Sequence, residues 1–141
     1  MKPRILLLLA LAIVLQACGG TPKKAAVAAA EPGLAKDGHF RVSLTWLTEL
    51  KAETYLQAKL RFSVPSGAAV TEVKDLKFDP WMPSMGHGTV TDEQTLTLEA
   101  GQADTILVDR VYFIMGGAWD VRLDATVNGQ ADSATLSVEV P

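Results

Sequence analysis

The chain holds one cysteine, Cys18, in 141 residues, so no disulfide can close within it and no two-thiol redox centre can form. Histidine is almost as scarce, with two copies. No glycine-rich phosphate loop and no zinc-hydrolase spacing of histidines occurs. Basic residues do not exceed acidic ones: 13 Lys and Arg face 16 Asp and Glu, for a net charge of -3. That balance excludes nucleic-acid binding through a basic surface and a polybasic grip on anionic lipid. The longest apolar run, Ile5 to Leu15, is too short to cross a bilayer comfortably.

What is present begins around that run. Lys2 and Arg4 precede it, and small Ala17 follows in Leu15-Gln16-Ala17-Cys18. The arrangement resembles a bacterial lipoprotein signal with its lipobox. The resemblance implies cleavage before Cys18, diacylation of its sulfur and acylation of the new amine; an ordinary secretory signal or an uncleaved helix is the competing reading. Gly19 follows the cysteine instead of an Asp, which favours the periplasmic face of the outer membrane in a two-membrane cell. With residues 1–17 gone, 11 basic residues face 16 acidic ones.

Residues 18–38, rich in Ala, Gly, Pro and Lys, lack a sustained period and read as the lipidated cysteine and a flexible tether. As a coil this segment would hold a domain roughly 25 Å from the membrane on average. From residue 39 to 141 the pattern changes to period two. Phe40, Val42, Leu44 and Trp46 alternate with polar residues, and so do Leu56 to Val64, Trp119 to Val127 and Ala134 to Val140. Val70 to Phe78, Thr95 to Glu99 and Thr105 to Met115 supply three less regular strands, and Asn128-Gly129 is a strong hairpin signal. Seven strands with almost no helical pattern predict an all-β fold, an antiparallel immunoglobulin-like β-sandwich. Its edge strands can pair with another chain. Trp46 and Trp119 fall on alternating positions expected to be core.

Asp79 to Thr89 breaks the strand rhythm: DPWMPSMGHGT. Pro80 and Pro83 restrict the backbone while Gly86 and Gly88 free it, which predicts a rigid loop. Met82, Met85 and His87 cluster within six residues of a chain poor in both types. Neutral, polarizable thioethers bind Cu(I) well and compete poorly for zinc, magnesium or calcium. Two thioethers and an imidazole therefore point to monovalent copper as the bound cofactor or cargo. Met115 offers a third sulfur if strand pairing brings it close, and is otherwise a core residue. Trp81 would shield a bound ion, dock a partner, or simply anchor the loop. The plain alternative is that the loop plugs one end of a sandwich, with His87 donating to a backbone carbonyl. His39 reads as a solvated residue at the tether boundary.

Trp81-Met82-Pro83-Ser84-Met85-Gly86-His87-Gly88, followed by Phe113-Ile114-Met115-Gly116-Gly117-Ala118-Trp119-Asp120-Val121, resembles the YtkA-like domain, related to FixH-like proteins. The second element carries one glycine more than the family pattern. The resemblance spans most of residues 40 to 140. It implies an extracytoplasmic β-sandwich associated with copper handling or respiratory-oxidase assembly, and it implicates Met82, Met85 and His87, with Met115 beside them. The resulting expectation is a lipid-anchored envelope protein that captures Cu(I) for delivery to an acceptor or oxidase-assembly partner, or buffers it. The alternatives are a metal-free module docking to a membrane complex through the Pro/Trp loop, and a purely structural lipoprotein. Enzyme activity is not expected: Ser84, His87 and Asp92 are too compact for a triad with an oxyanion hole, and no nucleophile elbow is present.

Overall fold

The computed structural model describes residues 32–141, so the signal segment, Cys18 and most of the expected tether lie outside the described residues. Two antiparallel sheets form an all-β sandwich. One has the order β1 (Gly33–Leu34), β2 (Arg41–Trp46), β3 (Tyr55–Ser63), β7 (Thr105–Tyr112), β6 (Thr95–Leu98). The other has the order β5 (His87–Gly88), β4 (Val73–Met82), β8 (Gly117–Val127), β9 (Gln130–Val140). With β1 set aside, this is the immunoglobulin constant-type connectivity with one short extra strand after the third.

The alternation read from the sequence becomes the core. Val42, Leu44, Leu60, Phe62, Val108 and Val111 point inward from one sheet, and Phe78, Trp119, Val121 and Leu123 from the other. The hairpin forms at Asn128-Gly129, both in the left-handed region at φ 49° and 80°, with Val127 paired to Gln130.

Two very short strands add to the seven anticipated. β1 lies within residues 18–38, and neighbouring Ala35 is 2% exposed, so ordered structure begins ahead of residue 39. Gly33 eases this: a Cβ there would lie 2.4 Å from Leu136 Cδ2, so buried Leu136 would have to shift for a larger residue to let β1 close the seam between the sheets. The other addition, β5, pairs with the end of β4, which itself runs on through Asp79, Pro80, Trp81 and Met82 where a loop was expected. Phe78, Pro80 and Met82 are buried alternately, so the period continues through the proline. Pro80 is tolerated because β5 reaches only Trp81 and Met82, leaving that side of β4 without a ladder partner at residue 80.

Asp132 fastens the entering chain. Its carboxylate accepts the backbone N–H groups of Asp37 (3.0 Å), His39 (3.0 Å) and Ser133 (2.8 Å). Burial pushes this carboxyl up, but those three N–H groups and the adjacent His39 imidazole outweigh it and hold it below the ordinary carboxylate value. A depressed folded value means the stabilisation is complete above the unfolded carboxylate range, near pH 4, and is lost as pH falls through the folded value. Asp132→Asn is therefore expected to flatten the acid limb of the unfolding-midpoint profile and to speed hydrogen exchange at the Asp37 and His39 amides at neutral pH. Unchanged exchange at both amides would refute the clamp.

Candidate metal centre

Cross-strand pairing brings the first two donors together. Met82 and His87 are register partners on β4 and β5, and directly opposed residues of an antiparallel pair project from the same face. That face is the inner one: Met82 is 3% exposed, and the His87 ring stands edge-on to buried Trp119 with ring centroids 6.1 Å apart. The loop thus reduces to a tight turn over Pro83-Ser84-Met85-Gly86, where the amides of Met85 and Gly86 both donate to Met82 O. Met85 sits on this turn and is exposed.

Met115 arrives from the β7–β8 connection. The expected strand to Met115 ends at Tyr112, Phe113 turns into the core, and Met115 is 40% exposed, so it is not a core residue. Its turn abuts Met82: a Cβ on Gly117 would lie 3.4 Å from Met82 Cε, and Gly117 has φ 124°, a conformation that L side chains avoid. Trp119 Nε1 donates to Met115 O at 3.1 Å and fixes the turn from below. One end of the sandwich therefore gathers Met82 and His87 inside, with Met85 and Met115 on two flanking turns.

The His87 ring has one nitrogen committed. Its Nδ1 lies 3.0 Å from Gly88 O; a carbonyl oxygen only accepts, so Nδ1 carries the proton and donates, leaving the Nε2 lone pair available. The same contact meets the plain expectation of a His bonded to a backbone carbonyl, and the two are compatible. His87 alone makes this donor set pH-sensitive, because protonation removes its lone pair and thioethers have no proton to exchange.

Trp81 stands apart. It alternates with Met82 along β4 and pairs with Gly88 and Asp120, which puts it on the outer face. There its ring lies 4.3 Å beneath the Arg122 guanidinium, which also pairs with Asp79. It cannot shield an ion held by Met82 and His87. Trp119, expected only as core, is both: 1% exposed and in contact with His87. A groove of about 710 Å³ runs past Lys77, Asp79, Arg122 and Asp124 and includes none of the thioether or imidazole groups. Among the described residues no cluster of three or more His, Cys, Asp or Glu is placed to hold a metal.

Exposed apolar side chains ring the same end. Ile114, Met85 and Met115 are all at least 36% exposed, whereas Leu47 lies beside Thr95, Thr97 and Leu107 on the outer face of the five-stranded sheet. The β2–β3 connection that carries Leu47 is joined to the β7–β8 turn by Glu53 N donating to Phe113 O at 2.8 Å. No protein-family model, no curated protein and no solved structure matches this chain.

Proposed function

We propose that the protein is a lipid-anchored envelope protein that binds Cu(I) through Met82 and His87, assisted by Met85 and Met115, for delivery to an acceptor or for buffering. Assembly of a respiratory oxidase is the destination that the YtkA-like resemblance implies. One observation carries the reading: the register pairing that sets a thioether beside an imidazole whose Nε2 lone pair is free, at an end where two more thioethers flank them. Neutral sulfur and imidazole favour the monovalent ion over harder divalent cations. Copper is cargo in this reading. The two outer thioethers sit on turns open to an incoming protein, so a ligand from the acceptor can join before the inner pair lets go.

Anaerobic titration of residues 19–141, which retain every described residue, with Cu(I) against a chromophoric competing chelator tests this. One equivalent is expected to bind with quenching of tryptophan emission, because His87 touches Trp119. Failure of the fragment to compete overturns the copper reading.

The exposed apolar ring favours one second reading, a metal-free docking surface at this same end. Met85→Leu with Met115→Leu separates the two, since leucine keeps the apolar surface and removes the sulfur. Docking predicts that partner binding survives the pair of changes irrespective of copper.

A further inference from the structure

β6 is a sheet edge whose side chains suit a second strand. Its register with β7 sets Leu96 opposite Val108 and Leu98 opposite Ile106. Those partners are buried, at 1% and 6% exposed, so the two leucines face the space between the sheets. They are nevertheless 38% and 53% exposed. The opposite sheet ends in β5, only two residues long, and leaves them uncovered.

The backbone on this edge is also open in a defined pattern. Glu99 N donates to Thr105 O at 2.9 Å, which identifies Glu99 and, by alternation, Thr97 and Thr95 as the residues bonded to β7. Leu96 and Leu98 therefore aim their N–H and C=O groups away from the sheet. Elsewhere edges carry blocks against pairing: β4 is broken by a bulge with Asp75 at φ 52° and by Pro80, and β9 is met by Lys36 N donating to Ser133 O. β6 has neither proline, bulge nor charge within it.

We infer that two copies of this chain pair antiparallel through β6 about a two-fold axis at Thr97, joining their five-stranded sheets into one. The sequence is self-complementary in that register. Leu96 of one copy opposes Leu98 of the other, so the residues with free backbone groups meet and each such pair exchanges two hydrogen bonds. Four leucines then cover one another on the interlayer side. On the outer side Thr97 meets Thr97 and Thr95 meets Glu99. Centring the axis on Leu96 instead would set apolar Leu98 against Gln94, which belongs to the turn closed by its N–H donating to Thr91 O. The occupant is thus a second copy, with its register fixed by chemistry visible in one strand.

The register itself supplies the test. Opposed residues of a non-hydrogen-bonded pair have Cα atoms about 4.5 Å apart, inside the disulfide range of roughly 4.4–6.8 Å. Residues 19–141 contain no cysteine. Thr97→Cys is expected to oxidise to a disulfide-linked dimer, and Thr95→Cys, displaced along the strand from its own copy, to remain at least about tenfold less cross-linked. Sedimentation of the unmodified 19–141 chain is expected to show mass doubling with concentration, abolished by Leu98→Lys with the unfolding midpoint unchanged. A chain that stays monomeric at every concentration with no Thr97→Cys cross-link overturns the pairing. Equal cross-linking at both positions overturns the register. Neither outcome bears on copper, which sits at the end of the sandwich.

Discussion

Met82→Leu is expected to cost the 19–141 chain more in Cu(I) affinity than the roughly 10–100-fold that follows loss of a merely supporting group around a metal, while its stability changes by less than about 1.5 kcal/mol. The separation arises from where Met82 stands. It is a core residue, 3% exposed, whose Cε would lie 3.4 Å from a Cβ placed on Gly117, and leucine preserves most of that volume. What disappears is the sulfur paired with His87 across the β4–β5 ladder. Met85→Leu removes a sulfur from a residue that is 59% exposed on a turn, so its effect on affinity should be smaller and its effect on stability negligible. Competition titration of the two variants beside thermal unfolding measures both quantities. Wild-type affinity in Met82→Leu would transfer the site to the exposed methionines, and equal losses in the two variants would mean that the inner and outer sulfurs bind as one set.

Six of the seven longer strands were legible because each buries one face, and a half-buried strand writes its period into the sequence, whereas β6 is exposed along its length and shows only a bare alternation of Thr and Leu. Phe40 to Trp46 and Trp119 to Val127 are the clearest cases, and Asn128-Gly129 marked its hairpin through the positive φ that Asn and Gly tolerate. β1 and β5 were not legible: two residues cannot show a period, and β1 makes a close approach between Gly33 and Leu136 that only the fold brings about. The strand through Pro80 was read as loop because two prolines and two glycines outweighed the inward alternation of Phe78, Pro80 and Met82. At the site, clustering alone singled out Met82, Met85 and His87. How they divide between core and turn, and why Trp81 lands on the opposite face, depends on the register of β4 against β5 and β8. The nearness of the Met115 turn to Met82 is a product of tertiary packing at Gly117, with no local signal to announce it.

Phe113→Ala should be among the most destabilising single changes in the domain. Phe113 is fully buried and touches Trp46 at 5.7 Å on one side and Trp119 at 5.1 Å on the other, both edge-to-face. Truncating a buried phenylalanine costs about 3–5 kcal/mol through lost transfer energy and the cavity left behind, and two edge contacts add to the penalty. Against a total near 5–15 kcal/mol for a domain of ordinary stability, that is a large share, readable as a fall in the denaturant midpoint at unchanged slope. The loss should also reach the candidate centre, because Phe113 carries the β7–β8 turn and buttresses the Trp119 ring against which His87 stands. Trp119→Phe offers the milder comparison. It keeps an aromatic ring in the stack but removes the N–H donated to Met115 O, and since Met115 is 40% exposed, water can replace that donor and hold the cost to about 1 kcal/mol. Copper affinity that falls in Phe113→Ala in folded samples, and stays near wild type in Trp119→Phe, would show that packing beneath the turn positions the donors. An effect of Phe113→Ala below about 1 kcal/mol would mean that the aromatic chain from Trp46 to Trp119 fills space without holding this end of the sandwich together.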